Sequence, residues 1–217
     1  MLPDARDARE TYAYSLDEIL RMLRLPLDVS TKAAIGCAAF AGLCESEIAG
    51  LQWADYADSE IRVSRSIDRV DGIANRPKTL KSAAPVPVIP TLKRLLDAHK
   101  ATASLGPDGE ALPDAPIFPC IRQETADLDK LALRVIRPSI EAARLSWHGW
   151  HAFRRGIASN LYQLGADEMT VQRVLRHSKV QVTRERYIKV RDEKLDNAMA
   201  QLDAAIEKLD ANRYSVQ

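Results

Sequence analysis

Few cysteines, few glycines and no long apolar run set the first limits on this chain. Its three cysteines, Cys37, Cys44 and Cys120, do not have the spacing of a metal site. Any disulfide scheme leaves one thiol over, so a reducing cytoplasm is the expected setting. The longest apolar run, Ala33 to Leu43, has eleven residues, whereas a bilayer-spanning helix needs about 20. The N-terminus, MLPDARDARE, has no apolar signal core. A soluble, intracellular protein without a membrane partner is therefore expected. Nine glycines are scattered along the chain without forming a Gly-rich phosphate loop, and neither an internal repeat nor a low-complexity tract is found.

The composition is that of a globular domain. With 217 residues, 46% hydrophobic and 28% charged, the chain can bury a sizeable core as one large domain or a main domain with an appended element. The net charge is only +1, but it is unevenly distributed. Residues 130–191 carry 13 Lys/Arg against 4 Asp/Glu, hence +9, which leaves −8 on the remainder. Such a concentration is either a solvated basic face or a surface for an anionic backbone, where neutralising phosphates releases counterions.

Local patterns divide the chain into short helices and a few strands. Residues 1–13 are polar and carry opposite charges, and a loose leading segment is expected there. Ser15 and Glu18 have capping-box spacing before Leu16, Ile19, Leu20 and Leu23, and Pro26 stops that helix. A second cap, at Ser30 or Thr31, opens a nearly all-apolar helix to about Phe40, whose lack of a polar face predicts burial. A buried turn and a short helix follow, with Leu51 and Trp53 expected in the core. Ile61, Val63, Arg65 and Ile67 alternate with polar residues as in a strand, with Arg65 breaking the apolar face. Asp71-Gly72 signals a turn, and the prolines of 84–89 mark an edge strand. Helices are predicted from Thr91 to about Ala103 and over 126–143, the latter interrupted at Pro138. Leu195, Met199, Leu202, Ile206 and Leu209 give the stripe of an amphipathic C-terminal helix.

One stretch gathers chemistry. From Trp147 to Tyr187 the chain brings three histidines, two adjacent arginines and a downstream tyrosine onto short helical segments. Phe153, Ile157, Leu161 and Leu164 share one helical stripe, while His151 and Arg154 share a flank beside it. The stripe can face a core and the flank a phosphate, although the same pattern also suits an ordinary packed helix whose His and Arg sit in water. Helix punctuation follows at Gly165-Ala166-Asp167.

With its neighbours, this stretch resembles the catalytic domain of the tyrosine recombinase (phage integrase) family from about Tyr14 to Val190. The second box of that family runs His-x-x-Arg, then Leu-Gly-His, then a tyrosine. Here it is His151-Ala152-Phe153-Arg154, Leu175-Arg176-His177 and Tyr187, with Arg176 at the central Gly and a slightly long run from Thr183 to Tyr187. The first box, Thr-Gly-Leu-Arg-x-x-Glu-hydrophobic-x-x-Leu-x-Trp-x-Asp, is matched by residues 41–55 at nearly every position, including Glu47, Leu51, Trp53 and Asp55. The first catalytic arginine of the pattern falls on Cys44, and no arginine lies within three residues of it. Pro77 to Ser82 is similar to the family's hairpin lysine segment, with Lys78 at the catalytic lysine and Lys81 in reserve.

The resemblance implies a mainly α (α+β) fold, a helical catalytic domain with one small three-stranded antiparallel sheet near residues 60–90. The domain would span 14–190, followed by a C-terminal helix and tail over 191–217 that dock on their own domain or on a neighbouring protomer. It implies a site-specific recombinase or integrase that cuts and rejoins double-stranded DNA through a 3′-phosphotyrosyl intermediate, with neither metal nor nucleotide cofactor, and it allows a homo-oligomer on DNA. Tyr187 would be the nucleophile, Arg154 a phosphate donor, His151 and His177 hydrogen-bond or proton groups, and Lys78 the acid for the leaving 5′ oxygen. Arg155, Arg176 and Lys81 are the expected DNA-backbone contacts, Arg155 alternatively a structural ion pair. Glu47, the supporting acid, is expected to stand uncompensated beside Cys44, slowing cleavage.

The family's N-terminal clamp domain would precede this region, so an excised fragment or a naturally short member is expected to bind DNA weakly. A non-cleaving DNA-binding relative is the first alternative. A metallohydrolase built on His148, His151 and His177 is the second, without a His-Glu-x-x-His element to support it.

Overall fold

The computed structural model describes residues 12–57, 59–68, 72–74, 84–103, 111–119, 127–176 and 193–214. Helix α1 (Leu16–Arg24) begins with the expected capping box, the Ser15 hydroxyl accepting from the Glu18 N–H and the Glu18 carboxylate from the Ser15 N–H. Helix α2 (Val29–Phe40) is buried over nearly its whole surface. Its cap is Asp28 rather than Ser30 or Thr31. The Asp28 carboxylate accepts from both the N–H and the hydroxyl of Thr31, so Thr31 is the donor to the cap instead of the cap itself.

After α2 the chain turns at Gly42, φ +61°, into α3 (Glu45–Gly50) and a single 3₁₀ turn (Trp53–Asp55). Leu51 and Trp53 are buried as predicted, and Asp55 accepts the Gln52 N–H. Strands β1 (Tyr56–Ala57), β2 (Glu60–Ile61) and β5 (Val86–Pro87) form a three-stranded antiparallel sheet in the order β1-β2-β5, which leaves the proline-bearing strand at the edge. Strands β3 (Ser66–Asp68) and β4 (Gly72–Ala74) pair separately. The continuous strand expected over 60–67 is therefore two strands. Ile61 of β2 and Val63 between the two strands stay buried, while the Arg65 guanidinium turns to donate to the Gly50 carbonyl at 2.6 Å. Arg65 breaks the apolar alternation because it ties the chain to the end of α3.

Helix α4 (Pro90–Lys100) starts with proline in its first turn and buries Leu92 and Leu96 against α2. His99, at its end, holds the 111–119 connector through its Nε2 and the Ile117 carbonyl, 2.6 Å apart. The next helical region runs through α5 (Leu128–Leu131), a π-type turn (Ala132–Ile136) and α6 (Arg137–Ala142). Pro138 offers no N–H, and the ladder widens just before it, with Ser139 Oγ donating to the Val135 carbonyl. Helices α7 (Trp150–Gln163), α8 (Glu168–Val174) and α9 (Glu193–Tyr214) complete the molecule. Phe153, Ile157 and Leu161 face the core from α7. The stripe of α9 packs on this same body, against α1, α7 and α8, with Met199, Leu202 and Ile206 buried. Asp203 of α9 also accepts the Thr91 hydroxyl at the head of α4. Among the described residues no helix is long and apolar enough to cross a membrane.

Candidate nucleic-acid site

The turn between α2 and α3, the first turns of α7 and the end of α8 converge on Arg154. Its guanidinium donates from one nitrogen to the Gly42 carbonyl and from the other to the Leu175 carbonyl. This clasp depends on glycine at position 42. A Cβ there would lie 3.1 Å from Leu175 and 3.4 Å from Ile157, and the left-handed backbone angle would be strained with a side chain. Two segments far apart in sequence thus anchor one arginine, whose side chain keeps 17% of its surface exposed.

Glu47 lies between two arginines. Its Oε2 is 2.8 Å from Arg176 Nη2 and 3.9 Å from Arg154 Nη1, and it accepts the Cys44 N–H at 2.9 Å. The expectation that Glu47 stands uncompensated is overturned, because Arg176, just after α8, reaches it. Arg176, anticipated as a DNA-backbone contact, has a side chain only 2% exposed and committed to this carboxylate. Its backbone φ is +54°, a left-handed angle rarely taken by a residue with a Cβ. Such a conformation costs about 1–3 kcal/mol, whereas breaking a buried ion pair by removing one partner costs about 3–5 kcal/mol.

Cys44, before the first turn of α3, is half-buried with its Sγ 3.2 Å from Ser46 Oγ. Burial, followed by the adjacent Glu47 charge, pushes its thiol above the usual range, so the position carries no charge at neutral pH. Burial lowers the Arg154 pKa from its ordinary value while Glu47 opposes that shift. The guanidinium remains a cation.

Tyr14 organises the other side of α7. Its backbone N–H donates to the Ala152 carbonyl, its own carbonyl accepts from Asn160, and its hydroxyl donates to the Ser146 carbonyl while accepting the His148 N–H. The close approach requires Gly156, where a Cβ would fall 2.5 Å from the Tyr14 oxygen. Nothing local in the sequence marks Tyr14 for this role, because a single aromatic before a cap has no periodic signature. Arg155 Nε donates to the Tyr12 carbonyl, which makes it part of this N-terminal clasp. The His148 ring stacks on Tyr12 at 3.6 Å. His151 is exposed on the flank of α7. Lys78, Lys81, His177 and Tyr187 lie outside the described residues. Among the described residues no group of three His, Cys, Asp or Glu could hold a metal ion.

The family model for the phage integrase family matches residues 10–194. The chain belongs to the phage integrase family. A "Tyrosine recombinase XerC-like" protein of Caldanaerobacter subterraneus subsp. tengcongensis is 27% identical over 220 residues, which cover 93% of this chain and 56% of that protein. This phage integrase family chain therefore spans about half the length of the curated relative it matches. Its fold is that of solved recombinases. The Tn1549 transposon integrase, solved with a circular intermediate DNA, superposes with a TM-score of 0.64 at 16% identity, covering 96% of this chain and 68% of that one. The XerA recombinase gives 0.61 at 20% identity, covering 93% and 66%.

Proposed function

We propose that this chain is the catalytic portion of a DNA strand-transferase of the tyrosine recombinase type, acting on double-stranded DNA. The observation that carries the reading is the clasp of Arg154, in which the turn of the first box and the end of α8 in the second box hold one guanidinium. Two of its five donors are used in this way, so the remaining N–H groups can meet phosphate oxygens from a fixed position.

In the proposed reaction the Tyr187 hydroxyl gives up its proton to a histidine of the site, His151 or His177, as its oxygen attacks the scissile phosphorus, forming a 3′-phosphotyrosyl ester while the bond to the 5′ oxygen breaks. Lys78 supplies the proton to that oxygen. Arg154, with His151 and His177, stabilises the negative charge that builds on the non-bridging oxygens. A 5′ hydroxyl of a partner strand then displaces the tyrosine, so the ester conserves the energy of the broken bond. Cys44 contributes a neutral thiol where a permanent, bidentate cation would act, and the loss of one preorganised donor typically slows such a step on the order of 100- to 1000-fold. The chain is therefore expected to bind DNA and to cleave it slowly.

Trapping the covalent adduct on a nicked duplex tests this reading. A slow Tyr187–DNA adduct is expected from the chain as it stands, more from Cys44→Arg, and none from Cys44→Arg combined with Tyr187→Phe. Absence of adduct from Cys44→Arg on DNA that it binds would favour the alternative, a non-cleaving DNA-binding relative, which the neutral Cys44 motivates.

A further inference from the structure

The two departures from the family pattern, Cys44 and Arg176, meet at one carboxylate. The pattern would give Arg at 44, Glu at 47, Gly at 176 and Arg at 154, hence two cations and one anion. This chain has the same count with one cation moved, since Cys44 is neutral and Arg176 Nη2 sits 2.8 Å from Glu47 Oε2. The left-handed φ of +54° at Arg176 is the conformation a glycine would take there freely. At Arg176 the side chain is held by the Glu47 carboxylate. Among the described residues, the charged groups facing this spot are Glu47 from α3, Arg154 from α7 and Arg176 after α8, with the Cys44 thiol beside them.

We infer that Arg176 is a positioning residue that replaces the missing cation of position 44: it neutralises Glu47 from the opposite element and thereby leaves Arg154 available to a phosphate. This inference rests on the proposed strand-transferase reading and deepens it. Arg176, with its side chain 2% exposed, substitutes for the charge of the absent arginine and not for its contact with DNA. Without it, Glu47 would draw Arg154 from 3.9 Å into a direct pair and compete with the phosphate for its donors. The exchange also makes the two positions interdependent. An arginine restored at 44 would share a single carboxylate with Arg176, so it should act fully only when residue 176 returns to glycine.

The test is a double-mutant cycle in the full chain with Cys44→Arg, Arg176→Gly and the combination, read by thermal unfolding and by adduct formation on the nicked duplex. Relief of backbone strain by glycine enters both arms and cancels. Arg176→Gly is expected to lower the unfolding temperature in the Cys44 background and to do so much less beside Cys44→Arg. In the adduct assay Arg176→Gly alone should lose between about 2- and 100-fold, the usual span for coupled residues of one ion-pair network. Arg176→Lys should keep most of the rate, and the combination should exceed Cys44→Arg alone. Additive effects on unfolding, or Arg176→Lys as damaging to adduct formation as Arg176→Gly, would overturn the exchange. If no variant forms an adduct, the strand-transferase reading fails, while the unfolding cycle still decides whether 44 and 176 are coupled.

Discussion

Cys44 differs from the other described cysteine, Cys37, in degree of burial and in neighbours. Cys37 lies wholly within α2, and burial raises its thiol to about 12. Cys44 is half-buried beside Glu47, and burial together with that carboxylate raises its pKa from the ordinary 9.0. A raised pKa means less thiolate at any given pH, and the thiolate is the reactive form. Alkylation of Cys44 in the folded protein, followed by peptide mapping, is therefore expected to be slower at pH 8 than that of an unperturbed thiol. It should accelerate only as the pH passes above the ordinary thiol value. Glu47→Gln removes one of the two causes and should speed the reaction at pH 8. Fast modification of Cys44 at neutral pH would mean that its surroundings favour the anion, contrary to the geometry.

At the scale of elements, the helices follow short-range instructions. The Ser15 and Asp28 caps and the proline in the first turn of α4 each act within one helical turn, and all three are visible as residue types at fixed offsets. The second cap falls two to three residues before the expected Ser30 or Thr31 because Asp28 and Thr31 can exchange roles, and only their mutual orientation shows which one accepts. Helix α9 was legible as an amphipathic element, but its sequence could not say which protein surface its stripe would meet. In the structure Leu202 is 1% exposed within the same chain, whereas Leu209 at the far end of the stripe is 37% exposed. Leu202→Ala is expected to cost about 2–5 kcal/mol, which is roughly 4–20 °C in unfolding temperature for a chain of this size. Leu209→Ala should stay within about 0.5 kcal/mol. Equal, small effects of the two in thermal unfolding would show that α9 does not dock on its own domain in solution.

For the whole molecule, the decisive sequence feature is the segregation of charge, +9 in residues 130–191 against −8 elsewhere. Several of these cations are exposed, among them Lys130, Arg134, Arg137 and Arg144, and two of them are locally paired with Asp127 and Glu141. Pairs as exposed as these are weak and leave the basic field largely intact. Binding to duplex DNA is expected to fall steeply with salt, with a slope of about −0.9 in log affinity against log salt for each phosphate neutralised. Titration at several salt concentrations measures it. Affinity indifferent to salt would rule out the basic segment as the binding surface. Sequence preference should be weak for this part of the interface, because phosphate contacts position a protein without reading bases.

The sequence by itself determined the capped start of α1, the burial of α2, the buried stripe of α7, the edge position of the proline-bearing strand, and the two boxes that place the chain in its family. Each of these is written in spacings of two to four residues, where backbone geometry converts pattern directly into structure. Tertiary structure alone decided that Arg176 pairs with Glu47, 129 residues away, and that Tyr14 is bound to α7 by Asn160, 146 residues away. Cys44 and Arg176 looked like unrelated departures along the chain. They became one feature when folding removed water from Glu47, since a carboxylate leaving solvent takes whichever cation the packing brings within reach, and no local spacing encodes which one that will be.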